Sequence, residues 1–101
     1  MTKHIELATP GEMLKADFLD DMDIKPGTFA RKIGVDNKAI KDIIDGKRKI
    51  TAEMALRFGL FFGMSAHFWL NLQKDYDLRL ARKNRLKEFE KIVEPYESAL
   101  A

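Results

Sequence analysis

The stretch Phe29-Ala30-Arg31-Lys32-Ile33-Gly34-Val35-Asp36-Asn37-Lys38-Ala39-Ile40-Lys41-Asp42-Ile43 decides the fold. Ala30 lies inside one short segment, Gly34 follows four residues later, and Ile40 follows six after that. This order predicts two short helices joined by a tight turn. A small side chain at Ala30 lets the second helix approach closely, and Gly34 supplies the positive φ that the turn needs. Ile40 and Ile43 anchor the second helix, and Phe29, Ile33 and Val35 fill the remaining apolar positions. Asn37, Lys38 and Lys41 stay on the polar face, with Asn37 and Lys41 one turn apart. Their donors suit base edges and phosphates. The pattern predicts a helix-turn-helix whose second helix enters the DNA major groove.

The charge distribution points the same way. The net charge of +2 hides a segregation along the chain. Residues 1–24 carry two lysines against six acids, a net of −4. Residues 25–50 carry eight Lys and Arg against Asp36, Asp42 and Asp45, a net of +5, and residues 51–101 add +1. The positive charge is concentrated on the helix-turn-helix. Asn37 pairs bidentately with adenine in such a setting, and Lys38 or Lys41 donates to guanine acceptors. Lys47, Arg48 and Lys49 follow the recognition helix and are placed to grip the phosphate backbone. Arg82, Lys83, Arg85 and Lys87 form a second cluster, read as a solvated helix face.

Outward from the motif, helix signals recur. Thr9-Pro10-Gly11-Glu12 combines a capping threonine, a proline at the first helical position and a glutamate that completes a capping box. This first helix is expected to reach Leu19, with Met13, Leu14 and Phe18 on its apolar face. The second helix starts near Pro26, and Asp36 or Asn37 caps the third. Thr51 caps a fourth helix that Gly63 closes, with Met54, Ala55, Phe58, Phe61 and Phe62 as core candidates. Ser65 opens a fifth. Leu86, Phe89, Val93 and Tyr96 suggest a final amphipathic helix interrupted at Pro95. No stretch alternates with period two, so the expected class is all-α. The expected divisions are a mobile arm over 1–8, a DNA-binding domain over 9–80 and a helical extension over 81–101. Phe68 is read as core. Trp69, Leu72 and Tyr76 are assigned to a dimer interface, with the core as the competing reading.

Composition excludes other classes. A chain of 101 residues, 46% hydrophobic and 34% charged, makes one small globular domain. No apolar run approaches 18 residues, and Met1 to Ala8 lacks the marks of a signal peptide. With no cysteine there is neither a disulfide framework nor a thiolate metal site, and a cytoplasmic location is expected. An enzyme is not expected. His4 and His67 belong to no metal-spaced motif, the glycines are scattered, and Ser65 and Ser98 fit a cap and a tail. No cofactor and no membrane partner is expected.

From Pro10 to Arg82 the chain resembles the HigA family of toxin–antitoxin antitoxins, within the wider λ-repressor-like helix-turn-helix group. The resemblance rests on Pro10-Gly11-Glu12-Met13-Leu14, on Gly46-Lys47-Arg48-Lys49-Ile50-Thr51-Ala52-Glu53-Met54-Ala55-Leu56-Arg57, and on Phe68-Trp69-Leu70-Asn71-Leu72-Gln73-Lys74-Asp75-Tyr76-Asp77-Leu78. It implies a five-helix λ-repressor-like domain with an additional C-terminal helix. It also implies a homodimer that binds double-stranded DNA at a palindromic operator, represses its own operon and neutralises a small basic ribonuclease toxin. One departure matters. Many relatives open the second helix with Ser-Gln, whose glutamine contacts phosphate, whereas Lys25-Pro26 stands here. That contact then falls to Lys25, Thr28 or the first backbone amides of the helix. A toxin that binds RNA needs a basic face, so the acids Glu6, Glu12, Asp17, Asp20 and Asp21 are the expected toxin-facing residues. The alternative is a stand-alone small helix-turn-helix regulator with no toxin partner. Only the segment from Phe68 to Leu78 favours the antitoxin over it.

Overall fold

The computed structural model describes residues 8–96. Five helices follow one another, and no strand occurs among the described residues. Helix α1 opens with an α-helical turn, Pro10–Met13, and continues as a π-helix over Leu14–Asp20. Helices α2 (Pro26–Ile33), α3 (Asn37–Ile44), α4 (Ala52–Phe62) and α5 (Ala66–Ile92) complete the chain. Of the expected arm, residues 1–7 lie outside the described residues, and Glu6 with them. No helix among the described residues is long and apolar enough to cross a membrane.

The caps form where their residue types predict. The Glu12 amide donates to Thr9 Oγ1 at 3.1 Å, and the Thr9 amide donates to Glu12 Oε1 at 3.0 Å, which satisfies two first-turn donors reciprocally. Thr51 accepts from the Met54 amide at 3.3 Å and Ser65 from the His67 amide at 3.0 Å. Asp36 occupies the N-cap position of α3 without a side-chain cap bond. Gly34 takes φ +76°, and the Val35 amide reaches back to the Ala30 carbonyl at 3.0 Å, closing the turn between α2 and α3.

The π-helix changes which residues α1 buries. A turn closed by i→i+5 bonds brings residues five apart onto one side. Leu14 and Leu19 are therefore both fully buried, and Lys15 Nζ reaches Asp20 Oδ1 at 2.8 Å. An ordinary helical period from Leu14 puts Phe18 rather than Leu19 on the buried side, whereas Phe18 and Met13 are only half-buried.

The core joins Leu14, Leu19, Phe29, Ala30, Ile33, Ile40, Ile43, Ile50, Ala55, Phe58 and Trp69. It corrects two expectations. Trp69 is 0% exposed and packs within its own chain, its ring centroid 4.7 Å from Phe18 and 5.1 Å from Phe58. It offers no surface to a partner. Leu72 is half-buried against the same core, and Tyr76 is half-buried on the wall of a groove. Phe68, read as core, is 37% exposed at the edge of the cluster. The two neighbours point roughly 100° apart on the helix, and the one directed at α1 and α4 is the tryptophan.

Helix α5 runs unbroken past residue 80, so the C-terminal extension is the second half of this helix rather than a separate element. Beyond Leu80 every described residue is exposed, and Pro95 falls after the helix has ended.

Candidate nucleic-acid interface

Helices α2 and α3 present their N-terminal ends together. Gly27 in the first turn of α2 lies against Asn37, the first residue of α3, such that a methyl on Gly27 would come 3.6 Å from Asn37 Oδ1. Lys25 is the exposed N-cap residue of α2, and Pro26 follows it as the first helical residue. Thr28 is half-buried one turn in. The surface thus gathers Lys25, Thr28, Asn37, Lys38 and Lys41 around the start of the two motif helices.

Along α3 the cations are exposed but partnered within their helix. Lys38 Nζ lies 3.2 Å from Asp42 and Lys41 Nζ lies 3.4 Å from Asp45, both at i,i+4 spacing. Exposed pairs of this kind contribute little, about 0.3–0.5 kcal/mol, so they orient the lysines without preventing their reassignment to phosphates or bases. The opposite face is buried through Ala39, Ile40 and Ile43. The exposed face of α3 is therefore backed by the hydrophobic core.

The loop after α3 carries Lys47, Arg48 and Lys49, all exposed. Its shape is set by backbone bonds, since the Lys47 and Arg48 amides both donate to the Asp42 carbonyl, at 2.8 and 3.2 Å. A second tether comes from α5. Buried Gln73 accepts from the Ile50 amide through Oε1 at 2.9 Å and donates through Nε2 to Asp77 Oδ1 at 3.0 Å. The other Asp77 oxygen lies 3.4 Å from Lys49 Nζ. This chain of contacts fixes the basic loop against α5. A third tether joins α4 to the motif, where Arg57 Nη1 donates to the Ile33 carbonyl at 2.6 Å, at the end of α2.

Neither Gln73 nor Arg57 stood out in the sequence. Each acts on a residue more than twenty positions away, and no local spacing marks such a partner. The one available sign is Gln73 itself, a polar residue on the same face as Trp69, Tyr76 and Leu80 and one turn before an aspartate.

The acidic residues lie on α1, away from the start of α3 in sequence. Asp17, Asp20 and Asp21 are exposed, with Asp20 held by Lys15. Glu12 is exposed but committed to the capping box. Among the described residues no group of three His, Asp or Glu side chains is arranged to hold a metal ion.

No family model matches the chain. Relatives and solved structures do. It is 38% identical over 85 residues to antitoxin HigA-1 of Vibrio cholerae, covering 84% of this chain and 79% of that protein. It is 37% identical over 76 residues to virulence-associated protein I of Dichelobacter nodosus, covering 75% of this chain and 70% of that one. Its fold matches the Pseudomonas aeruginosa antitoxin HigA solved with the higBA promoter, with a TM-score of 0.85 and 40% identity over 89% of this chain and 98% of the other. Fold, motif geometry and similarity over most of the chain agree, and this protein belongs to the HigA family of antitoxins.

Proposed function

We propose that this chain is the antitoxin of a type II toxin–antitoxin module. As a homodimer it represses its own operon by binding a palindromic operator, and it neutralises a small basic ribonuclease toxin by direct contact. It acts in the cytoplasm and is not an enzyme. The observation that carries the reading is the exposed start of α3 beside the basic loop, on a fold shared with a promoter-bound relative.

The exposed start of α3 and the exposed basic loop support the following roles. Asn37, Lys38 and Lys41 read bases from the major groove. Lys25, Thr28, Lys47 and Arg48 hold phosphates and set the register. With Pro26 lacking an N–H, the duties of a side-chain amide at the start of α2 pass to Lys25 and Thr28. The exposed carboxylates of Asp17, Asp20 and Asp21, with Glu12, form the toxin-facing surface, and Glu6, outside the described residues, is assigned to the same partner. Opposite potentials there speed association more than they deepen affinity.

Footprinting on the DNA upstream of the protein's own reading frame, with co-purification of the product of the adjacent frame, tests the proposal. Protection of an inverted repeat together with capture of a small basic protein is expected. Protection without any captured partner would favour the stand-alone regulator, and no protection would overturn the DNA reading.

A further inference from the structure

The flank between the end of α1 and the outer side of α4 exposes apolar side chains between charges of opposite sign. Leu56 and Leu60, one turn apart on α4, are 58% and 85% exposed. Met22, just past the end of α1, is 49% exposed. Two shallow hollows of about 270 and 310 Å³ join these ends, since Lys32 and Phe61 line both. The first hollow also touches Asp23 and Ile24, and the second touches Arg57 and Leu60. Scattered apolar residues on a surface call for no explanation, but a continuous run of them marks an interaction surface.

The charges along the flank say what covers it. Its α1 end is acidic, with Asp21 and Asp23 on either side of Met22. Its α4 end is basic, through Lys32 and Arg57. These four side chains are exposed and, among the described residues, have no ion-pair partner. Duplex DNA would meet the acids and the leucines unfavourably, and a basic toxin would meet Lys32 and Arg57 unfavourably. A second copy of the same flank, turned about a twofold axis, meets neither obstacle. Its acidic end falls on the basic end of the first, and both contacts form at once. Lys25 and Thr28, which the repressor reading gives to phosphates, also line the first hollow. The flank therefore borders the DNA surface, where a neighbour on an adjoining site would present its own.

We propose that neighbouring molecules of this chain touch through this flank when they occupy adjoining sites on DNA. Met22 of one copy lies over Leu60 of the other, and Asp21 faces Lys32 in both directions. The contact is additional to the one that makes the homodimer. So few side chains fall short of a stable interface, so the contact forms where the local concentration is high, as it is for two molecules held on one duplex. Its consequence is cooperative filling of adjoining operators.

The full chain carries no cysteine, which makes the contact open to cross-linking. A Met22→Cys chain mixed with a tagged Leu60→Cys chain and oxidised with copper phenanthroline should cross-link about tenfold faster than the same chain mixed with Lys74→Cys, an exposed position on α5. Adding Lys32→Glu to the Leu60→Cys chain should slow the reaction about fivefold, and adding Asp21→Lys to its partner should restore it. All the changed positions are exposed, so the helical circular dichroism should persist. On DNA with two operators, spaced at steps through one helical turn, the parent should fill the second site more tightly than the first at one spacing. Leu60→Asp should fill a single site as the parent does and lose that gain. Cross-linking no faster than with Lys74→Cys would overturn the inference, and so would independent filling at every spacing. Loss of toxin capture by Leu60→Asp, with no cross-link between positions 22 and 60, would give the flank to the toxin instead. The cross-link needs no DNA, so a protein that protects no operator yet cross-links as expected would overturn the repressor reading and leave this contact standing.

Discussion

At Gly11 there is no room for a side chain. A methyl there would overlap the Ile43 carbonyl oxygen, so α1 and α3 meet backbone to backbone at this point. Gly11→Ala should destabilise the fold by about 3 kcal/mol, because backbone cannot yield as a flexible side-chain tip does. Urea titration followed by circular dichroism would measure it, and a loss below about 0.5 kcal/mol would show that α1 shifts freely. Residues on the DNA side should respond differently. Asn37→Ala should cost about 1–3 kcal/mol on the operator and relax preference at one base pair. Arg48→Ala should weaken all sequences alike and make the salt slope shallower by about one per subunit. Binding titrations at several salt concentrations, on operator and scrambled DNA, separate the two. A shift in base preference from Arg48→Ala alone would exchange the assigned roles.

At the level of elements, the long-range tethers decide how well the site is held. Gln73→Leu keeps the side-chain volume near that of glutamine but strands the buried Ile50 amide. The cost should be about 1–3 kcal/mol of stability, and the basic loop should lose its link through Asp77 to α5. Operator affinity should then fall without a change in preferred sequence, which thermal melts and competition binding would show. Helix boundaries that depend on local chemistry were legible in the sequence. Thr9, Thr51, Ser65, Gly34 and Gly63 act at their own positions, within a few residues of their partners. Leu19 was not legible, because a π-helical turn breaks the period by which buried positions are read. The exchange between Phe68 and Trp69 was equally hidden, since both fit a helical stripe and only the placement of α1 and α4 selects between them. Gln73 and Arg57 were invisible for a third reason: their partners lie across the fold. The exposed positions of Asn37, Lys38 and Lys41 could be anticipated because burial of Ile40 and Ile43 leaves one face of α3 free.

The whole molecule is longer than its chain length requires. Its radius of gyration is 17.0 Å, against about 13 Å for a compact domain of this size. The largest extent is 54 Å, and the excess belongs to α5. No described residue beyond Leu80 is buried, so deleting residues 86–101 should shift the melting temperature by less than about 4 °C, equivalent to about 1 kcal/mol. As a homodimer the protein should protect two half-sites about 34 Å apart, one helical turn. Footprinting checks this, and protection of a single half-site would count against the homodimer. Trp69 is the single tryptophan, and its indole N–H is buried without a hydrogen-bond partner among the described residues. Phenylalanines from α1, α4 and α5 surround it, within 4.7 to 5.6 Å between ring centroids. An indole shielded from water and from hydrogen bonds emits at short wavelength. Its fluorescence should therefore shift to the red when the helices part, and stay blue when operator DNA binds at the exposed start of α3, which leaves the core around Trp69 closed. The protein thus carries its own lamp for folding, one that leaves its encounter with DNA in the dark.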